Sequence, residues 1–232
     1  MRTSMRTEIG QLAVIAAMFV AALLTLPTAP ERVPVRWDLQ GRPSGYADPA
    51  FALLMPPVLA LAIYLALRFL PLIDPGRANY ATFAGTYVLM RWLMVLFLGG
   101  VYAVIHLALR GVAVDVALVV PLAVGILFIV LGNVMGKLRP NWFIGIRTPW
   151  TLSSKRSWTR THAAGGRVFV VSGLAFLLVP FGRVAGISQA LLAVAVAIAM
   201  AGVVYLFVYS YLAWREDPER IPPAGTLPGE QT

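Results

Sequence analysis

Long apolar runs alternate with short polar, turn-rich stretches along this chain, and the length of the runs decides the fold class. Six runs are long enough to predict membrane-spanning helices, at residues 9–26, 50–72, 83–109, 115–135, 167–181 and 187–214. The first has about 18 residues, which at 1.5 Å per residue spans roughly 27 Å, close to the hydrocarbon thickness. That length favours a retained first helix over the shorter apolar core of a cleaved signal peptide. The fifth run is short unless its helix starts earlier, near Ser153, and the sixth is long enough to tilt. Pro56, Pro57 and Pro121 fall early in their runs, where a first helical turn lacks intrahelical donors anyway.

Between the runs, polar segments predict two smaller features. In the loop 27–49, Val33, Val35 and Trp37 alternate with polar positions, as in a short strand. Gln40-Gly41 and Ser44-Gly45 are turn signals that would fold it back. The second feature is the island 140–152, with two prolines, an internal glycine and a cation. Such a stretch cannot cross hydrocarbon unsatisfied, so it lies at the membrane surface or is folded into protein. After it, Ser153 or Ser154 can cap a helix on which Arg156 and Arg160 share one face and Trp158 and His162 another. This predicts an interfacial helix leading into the fifth span. The expected fold is thus an all-α bundle of six membrane helices with a short loop cap and one interfacial helix. Three spans lie in 1–110 and three in 111–214, with a disordered, Pro- and Gly-rich tail over 215–232.

Composition agrees: 59% of residues are hydrophobic and 12% charged, half the charge usual for a soluble domain. The net charge of +9 does not imply nucleic-acid binding, because the cations flank apolar spans. The loop 136–167 alone holds Lys137, Arg139, Arg147, Lys155, Arg156, Arg160 and Arg167 without an acidic residue. The positive-inside rule then places this loop and both termini in the cytoplasm of a multi-pass membrane protein.

Candidate chemistry is sparse. There is no cysteine, and the two histidines, His106 and His162, fall on opposite sides, so no metal site and no cofactor is expected. No Ser-His-Asp set converges, which argues against an enzyme. An intramembrane enzyme would have to use Glu31, Asp38, Asp48 and Asp115. Arg91 is the one cation placed well inside a span. It either faces protein or water as a functional group, or snorkels to the nearby surface. Asn133 is positioned to bond a neighbouring helix. No glutamate falls within a predicted span, so a carboxylate relay is missing. In the first loop, Arg36, Trp37, Asp38 and Tyr46 either contact a ligand or sit at headgroup level. In the island, Asn141 and Thr148 can close turns, Gly145 permits positive φ, and Pro149 turns Thr148 away from helix. Trp142, Trp150 and Trp158 recur every eight residues, as interfacial anchors would.

The string Asn141-Trp-Phe-Ile-Gly-Ile-Arg-Thr-Pro-Trp-Thr-Leu152, followed by Trp158 and Gly166, resembles the signature of the SdpI family of bacterial immunity proteins. The loop from Val33 to Tyr46 resembles the small uncharacterised domain that commonly precedes it. The resemblance marks Asn141, Gly145, Arg147, Thr148, Pro149, Trp150 and Thr151 as signature residues. It implies immunity to a membrane-active antimicrobial peptide, with the lipid bilayer, that toxin and a cytoplasmic transcriptional repressor as partners. A small transporter or flippase for a lipid or peptide is the competing expectation. In either case the signature braces the bundle or reports to a partner.

Overall fold

The computed structural model describes residues 4–38, 40–112 and 114–220, so 221–232 of the predicted tail lie outside the described residues. Among the described residues, six helices are long and apolar enough to cross a membrane. They are α1 (Met5–Thr25), α2 (Pro49–Ile73), α3 (Ala84–Leu109), α4 (Val116–Met135), α6 (Lys155–Leu178) and α7 (Ser188–Arg215). A five-residue helix, α5 (Pro149–Ser153), ends the island, and β1 (Val33–Trp37) pairs antiparallel with β2 (Pro43–Ala47). The chain is a multi-pass, all-α membrane protein with one small hairpin.

Each boundary has a local cause. Ser4 caps α1 by accepting the Thr7 N–H, so the helix starts before residue 9 and includes Glu8. Asp48 caps α2 through the Ala50 N–H at 2.8 Å, with Pro49 in the first turn. Pro56 and Pro57 therefore lie two turns inside α2, not in its first turn. They are buried against neighbouring helices, where a locally interrupted ladder is tolerated. Pro121 likewise falls in the second turn of α4.

Two helix triplets form the bundle. In the first, Ile15, Met18 and Ala22 of α1 meet Leu53, Ala60 and Tyr64 of α2 and Val95 and Tyr102 of α3. In the second, α4 and α6 approach until their backbones touch. Gly125 and Gly132 on α4 face Gly173 and Gly166 on α6, seven residues apart on both helices. A Cβ added at Gly132 would lie 2.7 Å from the Gly166 carbonyl, and one at Gly173 2.7 Å from the Gly125 carbonyl. Lipid removes the hydrophobic drive between helices, so such close packing carries the association.

At one end, the island lies between the triplets. Tyr80, Phe83 and Tyr87 from the α2–α3 connection and α3 pack with Leu138, Ile144 and Trp158. At the other end, Val33 is fully buried against Ala52 and Ile105, seating the hairpin on the first triplet. Its Gly41 turn (φ 76°) reaches the start of α4, where an added Cβ would lie 3.3 Å from the Ala117 nitrogen.

Candidate functional site

The island is a folded plug held by side-chain bonds to its own backbone. Asn141 is buried; its Oδ1 accepts the Phe143 and Ile144 N–H groups at 3.0 and 2.6 Å. Its Nδ2 donates to the Arg139 and Ile144 carbonyls. Gly145 follows at φ 110°, and a side chain there would overlap the His162 ring nitrogen Nε2. That nitrogen accepts the Ile146 N–H at 3.0 Å, so Nδ1 carries the proton and donates to the Trp158 carbonyl at 2.8 Å. Arg147 is exposed and donates to the Trp142 carbonyl, closing the loop. Thr148 caps α5 in a reciprocal capping box with Thr151, with Pro149 in the first helical turn.

The plug is also bonded outward to three helices. Asp74, 1% exposed at the end of α2, accepts from the Gly76 N–H, the Tyr80 hydroxyl and the Trp142 N–H. Asn79 donates to the Pro140 carbonyl at 2.7 Å. On α7, Ser210 accepts from Thr148 at 3.0 Å and, through its carbonyl, from Ser157. Trp150 packs edge-on against Phe207 and Tyr211. Beyond α7, Asp217 receives the hydroxyl of Ser154, the residue that caps α6. That bond, the largest cause, holds the Asp217 carboxyl below the usual carboxylate range.

Two expectations are corrected here. Trp142 is exposed as an anchor would be, but Trp158 is 1% exposed, stacks on His162 at 4.0 Å and donates to the Leu138 carbonyl. The eight-residue spacing therefore does not describe three interfacial anchors. The helix expected along the interface is continuous with the fifth span as α6, and its Trp158–His162 face turns into protein. Its opposite face pairs Arg156 and Arg160 with Glu216.

Arg91 does not snorkel. It is 2% exposed, and its guanidinium grips both Glu8 oxygens at 2.9 and 2.8 Å and Gln11 at 2.8 Å. Glu8 also accepts the Tyr64 hydroxyl and pairs with Arg68 at 3.6 Å. A carboxylate thus does lie within a membrane helix, because α1 begins a turn earlier than its apolar run. Asn133 turns back onto the Ile129 carbonyl of its own helix rather than to a neighbour.

Comparison with known proteins places these features. The sequence profile of the SdpI/YfhL protein family matches residues 137–210, from the island to the serine that anchors Thr148. Over that stretch the chain is similar to the SdpI/YfhL protein family. A domain of unknown function, DUF1648, matches residues 13–61, which hold the hairpin. Immunity protein SdpI of Bacillus subtilis (strain 168) is 25% identical over 177 residues, covering 76% of this chain and 83% of that protein. No solved structure gives a significant match.

Ahead of the SdpI/YfhL region, the hairpin holds the remaining candidates. The Asp38 carboxylate closes the turn through the Arg42 and Gln40 N–H groups at 2.8 and 2.9 Å. The Arg42 backbone bond is the foremost cause that keeps its carboxyl below the usual range. Arg36, Trp37 and Asp38 line the mouth of a groove of about 700 Å³ that runs between α4, α6 and α7. Tyr46 is exposed and does not line the groove. Of the four acids an enzyme would need, Asp48 caps α2, and Asp115 caps α4 and pairs with Arg183. Asp74 and Asp217, which bond the SdpI/YfhL-like stretch to residues outside it, and Ser210, which bonds within it, carry no sequence signal of their own except the first. The Asp74-Pro75-Gly76 string, a turn signal at the end of the second run, points to the first of them.

Proposed function

We propose that this chain is an integral membrane immunity protein that protects a bacterium against a membrane-active antimicrobial peptide. The observation that carries the reading is the similarity to Immunity protein SdpI, which runs through 76% of this chain and 83% of that protein. The Lys and Arg asymmetry puts the island and both termini at the cytoplasmic face and the hairpin outside, where the peptide arrives. The units 1–110 and 111–214 then act as two triplets, clamped inside by the plug and bridged outside by the hairpin.

A second role, holding a transcriptional repressor at the membrane, draws support from Lys137, Arg139 and Lys155. All three are exposed at the plug end and have no ion-pair partner among the described residues. They offer a docking face for an acidic protein surface. The transporter reading is weaker, because three of the five Arg91 N–H donors already bond Glu8 and Gln11 and the side chain is buried.

The test is expression in a sensitive bacterium challenged with a panel of membrane-active peptides. At least one peptide should lose potency, and Trp150→Ala should remove the protection together with protein level. A chain that reaches the membrane at full level and protects against no peptide overturns the proposal.

A further inference from the structure

At the plug end, a cleft of about 600 Å³ opens on the seam between the two triplets, where α3 starts and α4 ends. Thr86 and Leu89 of α3 form one wall, and Val134 of α4 with Lys137 and Arg139 beyond it form the other. The level of the cleft in the membrane follows from α4. That helix has 20 residues, which at 1.5 Å each span about 30 Å, the thickness of the hydrocarbon. Its last residue, Met135, therefore marks the hydrocarbon boundary, and Lys137 and Arg139 just past it stand at headgroup level. Both cations are exposed and have no ion-pair partner among the described residues. No described acidic residue lines the cleft, and the Thr86 hydroxyl adds a donor that no described residue engages. Leu89, exposed on α3, and Val134 leave an apolar side at the hydrocarbon edge.

Two unpaired cations at headgroup level beside an apolar wall fit an anion carried on acyl chains. We propose that the cleft binds an anionic phospholipid, with its phosphate on Lys137, Arg139 and Thr86 and its chains against Leu89. Charge and depth choose this occupant together. An acidic protein surface approaching from water would meet the cations but leave the apolar wall of two membrane helices uncovered. A zwitterionic lipid would bring a cation of its own into a cleft with no carboxylate to receive it. Basic pockets between membrane helices select anionic headgroups on the same grounds. A lipid held there touches α3 of the first triplet and α4 of the second, and so joins the triplets beside the plug. Such a site does not depend on the immunity reading. It takes two of the three cations of the candidate repressor face and leaves Lys155 for that role.

The test uses the full chain in detergent micelles with an equimolar mixture of phosphatidylglycerol and phosphatidylcholine, and counts lipid adducts by native mass spectrometry. Phosphatidylglycerol adducts should prevail about tenfold. Lys137→Ala and Arg139→Ala should each lower that preference at least threefold. An added Cβ at Gly85, which lines the cleft, meets nothing within 4 Å, so Gly85→Leu should fill the space and remove the preference at an unchanged melting temperature. Lys155→Ala removes an equally exposed, unpaired cation at the same end but outside the cleft, and should leave the preference intact. Equal adducts from the two lipids, or an indifferent Gly85→Leu, overturn the proposal. A Lys155→Ala chain that loses as much as Lys137→Ala also overturns it, in favour of general attraction to a basic face. Displacement of phosphatidylglycerol by an equal concentration of glycerol phosphate would assign the cations to a soluble anion instead. Displacement by a decaglutamate peptide would assign them to an acidic protein surface.

Discussion

Replacing Arg91 by Leu tests whether the buried ion network holds the first triplet together. The guanidinium is 2% exposed and makes two bonds to Glu8 and one to Gln11, all between 2.8 and 2.9 Å. Removing one partner of a buried pair costs about 3–5 kcal/mol, because the other charge stays buried. Arg68 and the Tyr64 hydroxyl remain on Glu8, which puts this loss at the lower end, about 3 kcal/mol. In a chain of this size that is a fall of roughly 6–12 °C in melting temperature. The double replacement Glu8→Leu with Arg91→Leu removes both charges and should recover at least half of the loss. Unfolding of the four proteins of this cycle by SDS in mixed micelles measures the coupling. The reasoning fails if Arg91→Leu alone is neutral, or if the double replacement is no better than the worse single one.

Three further outcomes follow from the plug and the glycine contacts. Gly145→Ala should destabilise by about 1–3 kcal/mol from its φ of 110°. His162→Ala added to it should relieve only the overlap with the ring, so thermal unfolding should show partial rescue. Gly132→Leu should push α4 off α6, seen as loss of a cysteine cross-link engineered between them, whereas Gly85→Ala, where nothing lies within 4 Å, should not. The Asp217 carboxyl lies below its ordinary value of 3.8 when folded, so its contribution is complete above that value and fades as pH falls through the lower folded one. Asp217→Asn should therefore lower stability at neutral pH and flatten the acid limb of a melting-temperature profile. An unchanged acid limb would rule this out.

Much of the architecture was legible because lipid imposes a strong rule. Backbone at that depth must be helical, so apolar run length alone located the six spans. The hairpin followed from the alternation at Val33, Val35 and Trp37, the φ of Gly145 from local turn chemistry, and the start of α6 from the capping serine at 154. What stayed hidden depended on partners distant in sequence. Hydropathy ended the first run at residue 9, yet the Ser4 cap extends α1 to include Glu8, and only the fold brings Glu8 to Arg91. Trp158 reads as an interfacial aromatic by spacing. Its burial follows from the island folding over it, which no periodicity in α6 reveals. The glycines at 125, 132, 166 and 173 are spaced identically on two helices, a pattern visible in the sequence only if both faces are compared.

The groove and the plug lie at opposite ends of the molecule, and α7 is the element they share. Ser188 at its start lines the groove, and Ser210 near its end holds Thr148. At 1.5 Å per residue the two are about 33 Å apart along one helix. A continuous helix transmits a rigid shift but not a local distortion, and coupling requires an element with two arrangements that each end biases. The plug is bonded through Asn141, Thr148, Thr151 and Asp74 to itself and to three helices, which favours one arrangement over two. On that physical ground we propose that the signature acts first as a brace that fixes the plug end of α7. A signalling role would need the Thr148–Ser210 contact to open when a peptide binds. Peptide binding that leaves a Thr148→Cys, Ser210→Cys cross-link equally efficient would confine the signature to bracing, and a fall in cross-linking would assign it a part in reporting.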